Sequence, residues 1–240
     1  MKEVEVMVLN KYRKFTYEEF VNLADFKKKG KNVIAKKELL VTTKRGFQFY
    51  VGSSYEKTIF NRYNKDPHVI DIRGQDYAIP YYDGKHNYYP DLLIYFKNRT
   101  VLIYEVKPVI QMVNYENLRK FQLLKQYADT NGFRYAYGSA SSATAQIKTI
   151  DDIKRRKVNK SFRQYFKLIM KTNNVFTSKD LDNYKKEHHL VGVSKRNQLE
   201  YDVACLVLNH LNKYRLYHRP KEHNYSWIIR KGDFINIVKI

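Results

Sequence analysis

Cysteine is nearly absent from this chain: Cys205 is the single one. One thiol excludes an internal disulfide framework and any cysteine-based zinc site. Long apolar runs are missing as well. The longest are of strand length, far short of the ~20 residues a bilayer span needs, and the opening MKEVEVMVLN lacks the basic-then-apolar order of a secretory leader. The expectation is a cytoplasmic protein, of a bacterium or a phage-infected host, without membrane partners. Internal repeats and low-complexity segments are not evident. Acidic residues are the scarcer charge, 24 against 45 Lys and Arg, for a formal net charge of +21. Such an excess calls for a polyanionic partner or an acidic membrane surface. The 22 Tyr and 13 Phe favour nucleic acid, because aromatic rings among cations suit bases and sugar-phosphate backbone. The plain alternative is a lysine-rich surface that only confers solubility.

What the 240 residues do contain is organised around one stretch. Tyr88-Tyr89-Pro90-Asp91-Leu92-Leu93-Ile94-Tyr95-Phe96 and Val101-Leu102-Ile103-Tyr104-Glu105-Val106-Lys107-Pro108 read as two β-prone strands joined across Lys97-Asn98-Arg99. With the turn centred on Asn98, Asp91 falls opposite Glu105, at a Cα spacing of about 4.5–5.5 Å. Lys107 then emerges on the same face. Two carboxylates that close stay ionised together only with a cation between them. Oxygen-only ligands with room for water and phosphate describe magnesium, not zinc. The Lys107 ammonium could position or deprotonate an attacking water, or stabilise charge on a phosphate. The competing reading is that Asp91 ends a strand while Glu105 and Lys107 form a surface ion pair.

Upstream, Thr16 and Glu19 make a capping box that opens a helix over about 17–29, followed by a Lys- and Arg-rich stretch from Lys27 to Arg45. That stretch reads equally as a solvated hairpin face and as a phosphate-contacting arm. Phe47–Val51 is a strand leading to a helix whose Glu56, Ile59, Phe60 and Tyr63 share one face. Two roles compete for Glu56: a capping box with Ser53, which bends the carboxylate back, or a third acidic member reaching forward to Asp91. Val69–Ile72 and Asp76–Tyr82 are short strands around Arg73-Gly74-Gln75, where Gln75 is a turn residue or a contact to substrate.

The ordered set Ser54-Tyr55-Glu56, Val69 to Gln75, Ile79-Pro80-Tyr81, Tyr89-Pro90-Asp91 and Tyr104-Glu105-Val106-Lys107-Pro108 resembles the PD-(D/E)xK nucleases, and most of all the N-terminal domain of TnsA-like endonucleases, over roughly residues 47–138. The resemblance implies an α/β fold, a restriction-endonuclease-like mixed sheet flanked by helices. It implies acidic metal ligands at Glu56, Asp91 and Glu105, the backbone carbonyl of Val106 as a further ligand, and a catalytic lysine at Lys107. A magnesium- or manganese-dependent DNA endonuclease is the implied activity, with a transposase subunit and an ATPase regulator as partners. Phage and restriction nucleases and junction resolvases share this core, which leaves the biological setting open and keeps phage proteins among the partners. The rival from another class is a noncatalytic DNA-binding assembly protein on the same scaffold.

Beyond this core, Asn114–Asn131 reads as a helix and Phe133–Tyr137 as a strand. Gly138–Ala145 reads as a hinge, and the charged Asp151–Lys160 as a cap or linker. Three helices then precede a hairpin of Tyr214–His218 and Ser226–Arg230, the plan of a winged helix. Lys195, Arg196 and Asn197 at the start of the third helix, with Arg219 and Lys221 on the wing, suit phosphates and base edges. Protein docking competes with DNA reading for this region. The domain organisation expected is a basic arm and helix over 1–46, a nuclease core over 47–145, and a winged-helix-like domain over 146–240.

Overall fold

A computed structural model describes residues 12–24, 37–74, 78–80, 87–140, 147–218 and 226–232. In chain order the elements are α1 (Tyr17–Ala24), β1 (Leu40–Thr42), β2 (Gln48–Tyr50), α2 (Ser54–Lys65), β3 (Val69–Gly74), β4 (Ile79–Pro80), β5 (Asn87–Tyr88), β6 (Leu92–Phe96) and β7 (Val101–Val106). They continue with α3 (Val109–Met112), α4 (Tyr115–Asn131), β8 (Arg134–Ala140), β9 (Ile147–Thr149), α5 (Ile150–Lys154), α6 (Lys160–Asn173), β10 (Val175–Thr177), α7 (Ser178–Glu187), α8 (Val193–Leu208), β11 (Tyr214–His218) and β12 (Trp227–Lys231). The fold is mixed α/β. Among the described residues the largest sheet has five strands in the order β3-β6-β7-β8-β9, flanked by helices in the manner of restriction endonucleases. Every residue of β6 and β7 is buried, which explains their unbroken apolar sequence: strands covered on both faces do not alternate.

The chain divides into two compact units, Met1–Glu105 with Leu124–Ala136, and Val106–Leu123 with Tyr137–Ile240. In the first, the capping box of α1 is formed, with Glu19 N–H donating to Thr16 Oγ1 at 3.1 Å and Thr16 N–H donating to Glu19 Oε2 at 2.6 Å. The Phe20 ring stacks on Tyr95 at 5.1 Å, and Tyr95 Oη donates to the Phe15 carbonyl. Helix α2 buries Ile59 and Phe60, each contributing about 1.5–3 kcal/mol of transfer free energy. The Phe49 ring meets Phe60 edge-on at 5.6 Å. That ring also explains Gly74: a Cβ there would lie 2.4 Å from Phe49 ring carbons. Gly74→Ala is therefore expected to cost about 1–3 kcal/mol as the ring is pushed aside, read as a lowered thermal midpoint. An unchanged midpoint would show that β2 gives way without cost.

The second unit carries a three-stranded antiparallel sheet, β10-β12-β11, with α6, α7 and α8. Trp227 and Ile229 of β12 are buried, as are Phe162 and Phe166 of α6 and Val203 and Val207 of α8. Thr177 and Asp180 form the capping box of α7. Arg156 pairs with the buried Asp202 at 2.6 Å, tying the segment before α6 to α8. Two features depart from the sequence reading. Gly138, Ser139 and Ala140, read as part of a hinge, belong to β8 and pair with Thr149, Lys148 and Ile147. Small residues mimic a loop in composition, but their backbone donors and acceptors are taken up by the ladder. The charged run begins with α5, whose cap is Thr149. Among the described residues no helix is long and apolar enough to cross a membrane.

Candidate active site

The β6–β7 hairpin has the register that a turn centred on Asn98 requires. Leu92 faces Tyr104, Leu93 faces Ile103, Ile94 faces Leu102 and Tyr95 faces Val101. The turn closes with Arg99 N–H donating to the Phe96 carbonyl at 2.8 Å and Phe96 N–H donating to that of Thr100 at 3.0 Å. Arg99 takes a positive φ of 65° to complete it. The ladder ends at the Leu92–Tyr104 pair, with Asp91 directly before Leu92 and Glu105 directly after Tyr104. Both are buried, Asp91 at 6% exposure and Glu105 at 5%.

Lys107 follows one residue after the end of β7, and its Nζ donates to the Val106 carbonyl at 3.1 Å. That carbonyl, expected as a metal ligand, thus accepts from the lysine.

Glu56 sits on the buried side of α2, at 6% exposure. Its carboxylate is turned back: Oε1 accepts from Ser53 Oγ at 2.9 Å and Oε2 from Gly52 N–H at 2.7 Å, while Glu56 N–H donates to Ser53 Oγ. This is the capping geometry. Among the described residues no group of three or more His, Cys, Asp or Glu is placed to hold a metal ion. Asp91 and Glu105 thus adjoin the Leu92–Tyr104 pair at the end of the ladder, and the Glu56 carboxylate accepts from the residues of its cap. The atoms expected as ligands are all oxygens, the donor chemistry that a hard divalent cation takes.

A fourth buried acid carried no signal as a site residue. Asp71, at 1% exposure, accepts from Tyr17 Oη at 2.8 Å and pairs with Arg73 Nη2 at 3.0 Å. Burial, and then the hydrogen bond to Asp71, push the Tyr17 phenol above its usual pKa, so it remains a donor.

Residues 66–138 match the family described as TnsA-like endonuclease N terminal. Over this segment the chain is similar to a TnsA-like endonuclease N-terminal domain. The matched segment includes Asp91, Glu105, Val106 and Lys107, and Glu56 falls before it. No curated protein matches the chain.

Of the residues expected to touch DNA, Lys195 and Asn197 are exposed on the first turn of α8. Arg196 pairs with Glu200 at 3.2 Å, four residues on. Burial pushes the Glu200 carboxyl above its usual pKa, and Arg196 opposes that shift. Gln75, Arg219 and Lys221 lie outside the described residues.

Proposed function

We propose that this protein is a divalent-metal-dependent DNA endonuclease that hydrolyses phosphodiester bonds, in the strand-cleaving role of TnsA within a heteromeric transposase. The observation that supports the reading is the TnsA-like segment, which contains the buried Asp91 and Glu105 beside the Leu92–Tyr104 pair of the β6–β7 ladder. Asp91 and Glu105 hold magnesium or manganese, with the Val106 carbonyl as a further ligand and Glu56 as a third carboxylate once it leaves its cap. A bound divalent ion supplies Lewis acidity and charge neutralisation to the scissile phosphate. Lys107 orients the attacking water and offers positive charge to the phosphate oxygens as the P–O bond breaks. DNA is the substrate, and a transposase subunit and an ATPase regulator are the partners. A cytoplasmic location is consistent with all three.

Residues 146–240 form, in this proposal, a winged-helix-like domain. Its support is the order of helix, strand, two helices and a hairpin, with β10 completing the hairpin's sheet beside β12. Lys195, Arg196, Asn197, Arg219 and Lys221 then face DNA, and Gln75 serves the nuclease core.

The capped Glu56 favours one other reading, a noncatalytic DNA-binding protein that retains the nuclease scaffold. Supercoiled plasmid incubated with magnesium, manganese or EDTA, with and without a transposase subunit, separates the two: nicking or linearisation that requires the ion supports the nuclease. Glu56 has its own test. Glu56→Gln retains acceptor and donor atoms for the cap, so the fold is expected to hold while cleavage drops about tenfold or more. Cleavage at the wild-type rate would assign Glu56 to capping alone and leave two carboxylates at the metal.

A further inference from the structure

The β1–β2 hairpin carries an exposed aromatic ring whose position is determined from below. Its connection is a turn of Thr43, Lys44, Arg45 and Gly46, with Gly46 N–H donating to the Thr43 carbonyl at 2.9 Å and Thr43 N–H donating to that of Phe47 at 2.8 Å. Gly46 takes φ of 81°. A tight turn followed by a left-handed glycine is a standard way to close a short hairpin. The turn is clamped to α2: Asn64 accepts from Lys44 N–H and donates to the Thr42 carbonyl, both at 3.1 Å. Lys44 Nζ is committed to the carbonyls of Asp66 and Val69. Of the two cations in the turn, Lys44 is therefore structural and Arg45 is exposed.

Two branches rise from the buried Asp71 to this tip. In one, Asp71 fixes Arg73, whose guanidinium lies over the Phe47 ring at 3.9 Å. Arg73 Nη2 also donates to Tyr17 Oη at 3.5 Å, and among the described residues Nη1 has no hydrogen-bond partner. In the other, Asp71 fixes the Tyr17 hydroxyl, and the Arg45 guanidinium lies over the Tyr17 ring at 4.3 Å. The two branches end two residues apart in sequence, at Arg45 and at Phe47, which is 41% exposed; Tyr50, on the same hairpin, is 40% exposed.

An exposed ring normally costs solvation and gains rotamer freedom. Here the ring is held by a stacked cation whose own position is set by a buried ion pair. A preorganised aromatic face beside an exposed guanidinium is complementary to a flat base or sugar next to a phosphate. On a chain of charge +21, DNA is the polyanion that fits.

We infer that the tip of the β1–β2 hairpin is a DNA-contacting platform, with Arg45 on a backbone phosphate and Phe47 against a base or deoxyribose. The inference rests on the DNA-nuclease reading above. It adds a DNA-binding element in the first unit that neither the acidic hairpin nor α8 supplies.

The test is fluorescence anisotropy with the full-length chain, labelled duplex and single-stranded DNA, EDTA present, over a salt series. Phe47→Ala is expected to weaken binding by about 10- to 100-fold with the salt slope unchanged, as removal of a stacking ring does. Arg45→Ala is expected to lower the magnitude of that slope by about one, as when one phosphate is no longer neutralised. Lys97→Ala, an exposed lysine in the β6–β7 turn, reports what removing a cation elsewhere does. Thermal midpoints equal to wild type verify that the variants fold, since both altered side chains at the tip are exposed.

If wild type binds and both hairpin variants bind like wild type, or Arg45→Ala does no more than Lys97→Ala, the platform is overturned and the nuclease reading stands. If hairpin variants bind DNA normally but lose association with a transposase subunit, the surface is a protein-docking face and the inference also fails. If wild type binds no DNA at any salt, both readings fall together.

Discussion

Asp91→Ala is expected to leave supercoiled plasmid uncut while DNA is still bound. Leu92 faces Tyr104, Asp91 and Glu105 adjoin that pair in sequence, and each is nearly solvent-free. On the proposed function, removing one carboxylate leaves too few hard ligands for an ion that dehydrates reluctantly. Charge stabilisation at the phosphate then disappears, and deleting even one preorganised electrostatic group costs about 100-fold or more in rate. Binding should persist, because affinity for DNA comes from cations spread over the surface and removing one acid lowers nothing in that attraction. The measurement is paired: nicked and linear product on a gel with magnesium or manganese, and anisotropy in EDTA. Substantial residual cutting by the variant would remove Asp91 from the chemistry. Failure of binding together with failure of cutting would instead indicate misfolding, which the thermal midpoint reports.

The second large effect is on affinity. With +21 formal charges the chain should release condensed counterions when it binds, and a protein making 6–10 phosphate contacts loses about 10³–10⁵ in affinity between 50 and 200 mM salt. A plot of log affinity against log salt for wild type is expected to be linear and steep. A slope near zero would mean that the positive charge is a solubility device and that the rings and lysines are not arranged along a phosphate track. The two predictions are independent: one concerns a buried pair of anions at the end of a strand, the other the sum of exposed cations.

The residue pattern was readable where one force dominates. The capping boxes of α1 and α7 are local, satisfied within four residues, and both formed where Thr16 with Glu19 and Thr177 with Asp180 stand. The β6–β7 hairpin was readable because its turn length sets its register, and register sets the side of every residue. Gly138–Ala140 misled because small polar residues look the same in a loop and in a strand, and their pairing partner, β9, is too short to show a period of its own. Glu56 could not be assigned from sequence: one carboxylate suits a cap and a metal equally, and only the direction of its χ angles separates them. Asp71 was silent for a related reason, since its partners Tyr17 and Arg73 are 54 and 2 residues away, and the longer separation is closed only by folding.

Taken alone, the amino-acid sequence determined the net charge, the α/β class and the central hairpin with its register, because charge, apolar run length and turn length act over short stretches of chain. Tertiary structure decided which acids are held by neighbours, that Lys44 is committed to carbonyls while Arg45 is exposed, and that Phe47 rests on a cation seated on Asp71. Those outcomes depend on groups far apart in the chain competing for the same hydrogen bonds and the same buried space, and no local pattern encodes the result of that competition.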